Sequence, residues 1–217
     1  MLKFGIGIAA VAALAALGMA GTTTLTGKAS AEEPSAERAR LQQALENDPA
    51  LPSVAPQGYD VTVVVFADYQ CQYCRKLHPE LAQLMARDRK VRIVYRDWPI
   101  FGPMSQAAAR AAMASQYQGK HAAFDDAIAR GPVKLNADDL RRAADASGVN
   151  WARLQADLKS HGPAIDAALK RTDHFARLAG LSGTPGIIIG HYLLPGAVDL
   201  ATLQSTVEAV RHNTPLS

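Results

Sequence analysis

The two cysteines of the chain, Cys71 and Cys74, are separated by two residues and lie between two segments of different pattern. The segment before them, Val61–Ala67, is a continuous β-branched and apolar run, which predicts a buried strand. Residues 75–87, which follow, carry leucines at helical spacing. A helix that begins at the first cysteine offers it unpaired backbone N–H groups and the positive end of the helix dipole, which stabilise a thiolate. Because thiolates attack disulfides, this arrangement predicts a redox-active dithiol.

The first 31 residues have the organisation of a secretory signal. Lys3 precedes an apolar stretch over residues 4–20, and small residues end in Ala29-Ser30-Ala31, which is typical of a cleavage site. We expect cleavage after residue 31. The alternative is an uncleaved anchor in the inner membrane, for which an apolar stretch of about 17 residues is at the low edge of spanning length. Both interpretations predict a periplasmic or otherwise exported protein.

Export bears on the meaning of the cysteine pair. In an oxidising compartment a lone pair of thiols becomes a disulfide or a catalytic couple. A Cys71–Cys74 disulfide closes a very small loop and gains little chain entropy, so a purely structural role is disfavoured. The formal net charge of the whole chain is +3, two of which belong to Lys3 and Lys28. This balance gives no reason to expect nucleic acid or anionic lipid as a partner, and no cofactor is predicted.

An N-terminal arm is predicted over residues 32–58. A short amphipathic helix is expected at residues 37–46, with Leu41 and Leu45 on one face, and the proline- and glycine-containing residues 50–58 are expected to form a linker. Two leucines offer little surface to bury, which favours a loose tether over an arm that docks on the domain or on another subunit. The arm is also short for oligomerisation, so we expect a monomer.

Beyond the linker the pattern is α/β. A second strand is predicted at Val91–Asp97, and a short strand–helix–strand connection implies parallel strands with a right-handed crossover. Residues 103–181 contain several helical segments and no convincing strand. Strands resume at residues 186–190 and 192–194 in a hairpin-like pattern, and a last helix is predicted at 200–211.

The helical segments of the insert are bounded by local signals. Asn136 and Asn150 precede helical patterns and are expected to be N-caps. Gly162-Pro163 is expected to separate two helices, because both residues interrupt helical structure. The order of elements is therefore strand–helix–strand, a helical insert, and then strand–strand–helix.

Two motifs carry a resemblance to a known family. Residues 66–74 follow an aromatic-x-Asp-Tyr-x-Cys-x-Tyr-Cys pattern, and Gly183-Thr184-Pro185-Gly186 precedes the third strand. With the helical insert, these motifs resemble the DsbA-like thiol–disulfide oxidoreductases, exported bacterial proteins of the thioredoxin fold. The resemblance covers residues 61–211. It implies an α/β domain at residues 59–213, a thioredoxin fold with a large all-helical insertion at about 103–181.

The resemblance implies a role for each residue of the Cys-x-x-Cys segment. Cys71, closest to the helix end, is expected to be the exposed nucleophile, and Cys74, one turn in, the more buried resolving thiol. The two form a disulfide when oxidised. Gln72 and Tyr73 are expected to tune the nucleophile, and they carry no charge. They differ from the Pro-His of the strongest oxidases of the family, which argues against a very oxidising potential.

The resemblance also assigns residues outside this segment. Pro185 matches a cis-proline that faces the disulfide and keeps metal away from the thiols, and the backbone of Thr184 is expected to pair with an extended substrate. Thr184 is more typical of the isomerase and reductase branches than of the strongest oxidases. Asp68 has two interpretations, a proton acceptor for Cys74 or a cap and loop hydrogen bond, of which we favour the second.

Several neighbouring side chains have two interpretations of equal weight. Tyr69, Tyr73 and Phe101 are expected to form either an apolar rim for unfolded substrate or part of the core. Arg75 and Lys76 either stabilise the thiolate or are solvated charges on the helix surface.

The predicted function is that of an exported enzyme which oxidises, reduces or isomerises disulfides in unfolded or cysteine-containing exported proteins. A redox partner, membrane-bound or soluble, is expected to recharge the dithiol. The alternative is a copper or zinc carrier that uses Cys71, Cys74 and a third ligand such as His78. A binding module with an inert disulfide is a third interpretation.

Overall fold

The computed structural model describes residues 34–216, so the predicted signal at residues 1–31 lies outside the described part. Within residues 34–216 no helix has both the length and the apolar character needed to cross a membrane. In chain order the elements are α1 (Pro34–Glu46), β1 (Ser53–Val54), β2 (Val61–Ala67), α2 (Gln72–Arg87), β3 (Val91–Asp97), α3 (Pro103–Ser115), a 3-10 turn (Gln116–Gln118), α4 (His121–Arg130), α5 (Ala137–Ser147), α6 (Trp151–Leu178), β4 (Gly186–Ile189), β5 (Tyr192–Pro195) and α7 (Leu200–His212).

A mixed five-stranded sheet of order β1-β3-β2-β4-β5 forms the centre of the fold. The central pair, β2 and β3, is parallel and in register from Val61 opposite Val91 to Ala67 opposite Asp97. The hairpin of β4 and β5 adds antiparallel to β2. Nearly every residue of β2 and β3 is buried, as expected for parallel strands covered on both faces. Because β2 and β3 are parallel, their carboxyl ends lie at the same edge of the sheet, and the cysteine segment begins there.

Helices cover the two faces of this sheet with different cores. On one face, Val63 and Val65 pack with aliphatic residues of α2 and α7. On the other face, Val64 and Phe66 pack against the insert, α3 to α6. The alternation along β2 thus assigns each side chain to one core. Eight of the thirteen residues of the alanine-rich α3 are buried, because the other helices of the insert pack against it.

Helix α6 is continuous through Gly162-Pro163, where the sequence predicted a break. An interior proline costs a helix about 3 kcal/mol. Here α6 packs along α3, and residues before and after the proline enter the same core. The guanidinium of Arg110, which packs against Gly162, also forms an ion pair with Asp166. These tertiary contacts outweigh the local preference to end the helix.

The N-terminal arm docks on the domain, so the expectation of a loose tether is wrong. The buried guanidinium of Arg96 donates from Nε to the carbonyl of Leu45 at 3.0 Å and from Nη2 to that of Ala44 at 2.8 Å. These carbonyls end α1 and lack partners within the helix. The predicted linker at residues 50–58 also contains β1, which pairs with β3 and extends the sheet. The arm is thus part of the folded unit.

Candidate active site

Cys71 is the N-cap of α2. Its backbone N–H donates to the carbonyl of Asp68 at 3.0 Å, and its Sγ accepts the N–H of Cys74 at 3.4 Å. The thiol lies 3.2 Å from the carbonyl oxygen of Thr184, to which it donates. Only 4% of Cys71 is exposed, so the prediction of an exposed nucleophile is wrong in this structure. The Thr184 backbone lies against the sulfur, and the sequence pattern of the helix end could not reveal this.

Cys74 lies one turn into α2 and is half-buried, whereas Cys71 is buried, so the prediction that Cys74 is the more buried of the two is wrong in this structure. Its Sγ accepts the backbone N–H of Asp68 at 3.5 Å. Burial raises the pKa of the Cys74 thiol far above its ordinary value, and the Asp68 N–H and the Thr184 hydroxyl only partly oppose this. Both cysteines are free thiols here, which is the dithiol form of the couple. The disulfide between Cys71 and Cys74 stays a prediction for the oxidised form.

The Thr184-Pro185 segment lies opposite the dithiol although it is far away in sequence. The peptide bond before Pro185 is cis, as the resemblance implied, and the ring of Pro185 is buried. The Pro185 carbonyl accepts the N–H of Gly196 at 2.8 Å, which ties the segment to the end of β5. Through this connection the backbone of Thr184 is held against Cys71.

Asp68 organises the loops around the site and is 2% exposed. Its Oδ1 accepts from the Gln70 N–H and the Ser105 hydroxyl, both at 2.7 Å. Its Oδ2 accepts from the backbone N–H groups of Ile100 at 2.7 Å and Phe101 at 3.1 Å. Four donors occupy both oxygens, which argues against a proton-acceptor role and matches the loop hydrogen-bond interpretation.

The side chains of the Cys-x-x-Cys dipeptide point away from the core. Gln72 and Tyr73 are exposed, and the Lys76 ammonium lies 5.2 Å from the centroid of the Tyr73 ring. Phe101 is similarly exposed, whereas Tyr69 is buried and donates its hydroxyl to Asp125 at 3.0 Å. The predicted aromatic group therefore divides. Tyr73 and Phe101 lie at the surface beside the dithiol, and Tyr69 belongs to the core.

Arg75 is not a solvated charge on the helix surface, because its guanidinium is used in hydrogen bonds to the backbone. Its guanidinium donates to four backbone carbonyls, those of Tyr69, Ala129, Gly131 and Pro132, at 2.5–3.0 Å. Burial lowers the pKa of Arg75, and the charges of the Asp139 carboxylate and of the Cys74 thiolate oppose the change. The side chain thus joins the start of α2 to the end of α4.

A small cavity of about 40 Å³ lies behind Cys74. Among its lining residues are Tyr95 and Asp97 of β3 and Asp125 of α4. Burial raises the pKa of Asp97 well above its usual range and that of Asp125 to about 6. The charge of Asp125 adds to the rise at Asp97, and the charge of Asp126 adds to the rise at Asp125. The sequence analysis missed this group. The parallel register of Asp97 with Ala67 was the one available signal, since it places Asp97 at the sheet edge where the dithiol begins.

His78 turns to carboxylates and not to the dithiol. Its Nε2 lies 3.2 Å from Asp126, and its Nδ1 lies 3.6 Å from Asp125. Across residues 34–216 no group of three or more His, Cys, Asp or Glu side chains is arranged to hold a metal ion. The metal-carrier alternative is not supported.

Comparison with known proteins assigns the chain to a family. The DSBA-like thioredoxin domain matches residues 62–208. The chain belongs to this family. It is similar to a thioredoxin-like oxidoreductase from Silicibacter pomeroyi, with 38% identity, a TM-score of 0.75, and coverage of 79% of this chain and 98% of that one. A periplasmic thioredoxin-like protein from Salmonella enterica serovar Typhimurium is 30% identical, with a TM-score of 0.72 and coverage of 80% and 97%.

Curated relatives include longer proteins. A Na(+)/H(+) antiporter NhaA 3 from Salinispora tropica is 29% identical over 70% of this chain, which spans only 23% of the antiporter's length. The thiol:disulfide interchange protein DsbC from Salmonella typhimurium is 31% identical over 62% of this chain, which spans 45% of that protein.

Proposed function

We propose that the chain is a thiol–disulfide oxidoreductase of protein substrates in which Cys71 attacks and Cys74 resolves. The contact between the Cys71 thiol and the Thr184 carbonyl, 3.2 Å long, carries this proposal. It places a sulfur at a helix N-terminus beside a backbone segment that an extended chain can pair with. A buried structural disulfide would need no such neighbour.

The exchange proceeds through one mixed disulfide. In the oxidising direction, a substrate thiolate attacks Cys71 Sγ of the disulfide, the Cys71–Cys74 bond breaks, and Cys74 leaves and takes up a proton. The second substrate thiolate then attacks its own mixed-disulfide sulfur and releases Cys71, so two electrons pass to the dithiol. In the reducing direction, the Cys71 thiolate attacks a substrate disulfide, which forms the mixed disulfide and releases one substrate thiolate. Cys74 then loses its proton and attacks Cys71 Sγ, which forms the Cys71–Cys74 disulfide and releases the second substrate thiolate.

The proposed substrates are extended, cysteine-containing segments of unfolded exported proteins. Backbone pairing at Thr184 is independent of substrate sequence, which suits an enzyme with many clients. Tyr73 and Phe101, 52% and 53% exposed, offer apolar surface on which substrate side chains can pack. Gln72 is an uncharged neighbour that does not restrict the charge of the substrate.

We propose a couple that is less oxidising than the strongest oxidases of the family. A strong oxidant has a highly stabilised reduced form. Here the Cys71 sulfur receives one N–H, from Cys74 at 3.4 Å, and the nearby guanidinium of Arg75 is occupied by four carbonyls. The dipeptide between the cysteines adds no charge.

The proposed setting is the periplasm or an equivalent exported location. The signal-like residues 1–31 support export, and the similar Salmonella protein is periplasmic. There the dithiol requires a redox partner, soluble or membrane-bound, to restore its working form. We propose that the chain acts as a monomer. The proposed domain boundaries are near residues 59 and 213, and the N-terminal arm packs against β3 of this domain.

Cysteine variants test the assignment directly. With a reduced unfolded protein as substrate, the oxidised wild type should transfer its disulfide and Cys71→Ser should not. When Cys74→Ser is mixed instead with a disulfide-containing protein, its Cys71 thiolate should attack that disulfide and accumulate a mixed disulfide visible on non-reducing gels. The reverse pattern would contradict the roles given to the two sulfurs. Equilibration of the wild-type couple with glutathione then gives its potential and the direction in which it works.

A further inference from the structure

An apolar groove on the helical insert begins beside the dithiol site. It lies between α3, α5 and α6 and has a volume of about 410 Å³, which is within the range of about 300–1,000 Å³ that ligand pockets have. All three helices contribute to its apolar lining, which includes Pro103, Met104, Ala107, Leu140, Trp151 and Leu158. The exchange reaction at the two sulfurs does not use this groove.

We propose that the groove binds a large apolar side chain of the extended substrate, about four to six residues from the cysteine that reacts at Cys71. The proposal rests on the proposed function, because it assumes an extended protein segment held against Thr184. It lengthens the substrate site from the sulfurs to the outer face of α3. The preferred substrates are then segments that carry a cysteine and an apolar residue at this spacing.

The groove is continuous with the rim of the dithiol site. Gln70, which precedes Cys71, donates from Nε2 to the carbonyl of Phe101 at 3.3 Å and to the hydroxyl of Ser105 at 3.1 Å. These hydrogen bonds hold the start of α3 beside the cysteine segment. Phe101 is exposed at the rim, and the lining of the groove begins two residues later, at Pro103. A substrate segment that crosses Phe101 therefore reaches the groove next.

The length of the groove determines the expected spacing. Along α3 its lining extends from Pro103 to Ala111, and these eight residue steps rise about 12 Å in a helix. An extended chain covers the same length in about four residues, at about 3.3 Å per residue. With one or two further residues to cross the rim, an apolar side chain about four to six residues from the cysteine lies within the groove.

Polar groups on the walls of the groove match an extended backbone. Gln106 of α3 and Gln155 of α6 are both exposed, and neither side-chain amide makes a hydrogen bond within residues 34–216. An amide both donates and accepts, so it can pair with the N–H and C=O groups of a peptide. Arg110 also lines the groove, and its charge is balanced by the ion pair with Asp166. The walls therefore favour an uncharged segment with free backbone groups.

Trp151 gives the groove an ordered aromatic surface. The ring is half-buried and packs against the same core as α3. The guanidinium of Arg141 lies 5.6 Å from the ring centroid. Because these contacts already order the ring, it loses little conformational freedom when a substrate side chain packs on it.

A series of peptides tests the spacing. Each peptide has one cysteine, joined by a disulfide to an aromatic thiol whose thiolate is coloured, and one tryptophan five or ten residues away on either side, with an all-alanine reference. When the reduced wild-type protein attacks, Cys71 Sγ forms a bond to the peptide sulfur and the coloured thiolate leaves. We expect the second-order rate constant for the five-residue spacing on one side to exceed that for the ten-residue spacing about fivefold.

A carboxylate placed in the groove should remove this gain. Ala107→Glu should bring the rate for the five-residue spacing down to that of the all-alanine peptide. The matched control Ala127→Glu makes the same change at another half-buried alanine, in the separate groove between α4 and α5, and should keep the gain. If Ala107→Glu does not fold, Ala137→Glu takes its place, since Ala137 is exposed and belongs to the same lining.

Three results would overturn the proposal. The first is equal rates for both spacings in wild type, and the second is a gain that Ala127→Glu removes and the groove variant keeps. The third is a dimer in sedimentation experiments that the groove variant dissociates, which would assign the groove to a second copy of the chain. If no peptide releases the coloured thiolate, the all-alanine peptide included, the result would instead contradict the proposed function.

Discussion

The two sulfurs of the site are one helical turn apart and have surroundings of opposite kind. The front of the site, around Cys71, consists of the Thr184 backbone and exposed aromatic rings. The rear of the site, around Cys74, consists of a small cavity lined by Asp97 and Asp125. Under the proposed function, an extended substrate pairs with the front, and backbone groups do not discriminate between sequences. The rear is lined instead by side chains, among them two carboxyls.

One short motif thus gives its two cysteines different surroundings. Both cysteines lie at the start of α2, and a separation of three residues places one sulfur against the Thr184 backbone and the other against the cavity with the two carboxyls. Asp68 connects the two regions, because its carboxylate ties the loop of Phe101 at the front while its N–H reaches Cys74 at the rear. Four variants, which change five positions, test whether front and rear are separable.

The largest expected effect is that of Asp68→Asn, which should disturb both regions. The new amide would place N–H groups against the backbone donors of Ile100 and Phe101 or against Gln70 and Ser105. Loss of charge-assisted hydrogen bonds at a buried site should lower the free energy of unfolding by about 3 kcal/mol, measured in urea. The exposed control Asp138→Asn should change little, and equal effects of the two variants would contradict a connecting role.

Asp125→Asn should change the rear alone, and with a defined pH dependence. The folded protein holds the pKa of Asp125 at about 6, above the ordinary 3.8. A raised acid pKa means that this group's stability contribution is present below the unfolded value and is lost as pH rises through about 6. An uncharged asparagine avoids that loss, so the variant should gain about 3 kcal/mol over wild type between pH 4 and neutrality.

Urea unfolding of both proteins across this pH range measures the gain. Asparagine retains an oxygen that can accept the Tyr69 hydroxyl, so the hydrogen bond seen with Asp125 need not be lost. If the difference in the free energy of unfolding between variant and wild type does not vary with pH, the ionisation of Asp125 does not destabilise the folded protein and this prediction is wrong.

Removal of the exposed rings should affect the front alone. The double variant Tyr73→Ser, Phe101→Ser should raise the KM for an unfolded protein about fivefold, since each half-exposed ring contributes about 1 kcal/mol or less. Its rate with a small aromatic disulfide should be unchanged. Tyr59→Ser, which removes an exposed ring ahead of β2 at the other end of the sheet, is the control. An equal loss with both substrates would show that the rings act on the thiols and not on substrate binding.

The smallest expected effect is that of Thr184→Val. The Thr184 hydroxyl opposes only part of the rise that burial causes in the pKa of Cys74, whereas the Thr184 carbonyl, which the variant keeps, accepts the Cys71 thiol. We expect the potential against glutathione to change by less than about 30 mV, or 1.4 kcal/mol. A larger change in potential would show that Thr184 acts on the dithiol through its side chain and not only through its backbone carbonyl.

The parts predicted well from sequence are those fixed by local pattern. Val61–Ala67 and Val91–Asp97 are strands with the predicted bounds, because continuous apolar runs bounded by loops have few alternatives. The capping signals at Asn136 and Asn150 were also correct, since each side chain accepts an N–H of the first turn. In these places short-range chemistry decides the structure.

The parts that were missed depend on residues far apart in the chain. Burial of Cys71 comes from Thr184, and continuity of α6 through Pro163 comes from packing along α3. The cavity needs Asp97 from the sheet and Asp125 from the insert, and nothing near Asp125 in sequence marks it as a partner of a thiol. Local sequence patterns cannot predict which of many distant residues will come into contact in the folded protein.

The buried arginine on β3 has a practical consequence for shortening this protein. Arg96 is fully enclosed, lies 4.8 Å from the centroid of the Phe175 ring, and has Ala44 and Leu45 as its carbonyl partners. A truncated chain beginning at residue 59 would keep every residue of the dithiol site yet leave a positive charge facing a removed helix. The smallest polypeptide worth expressing therefore starts ahead of α1. Proteolytic cleavage within residues 47–52 should cause only a slow loss of activity, because the severed helix stays bound to Arg96 through the carbonyls of its last turn.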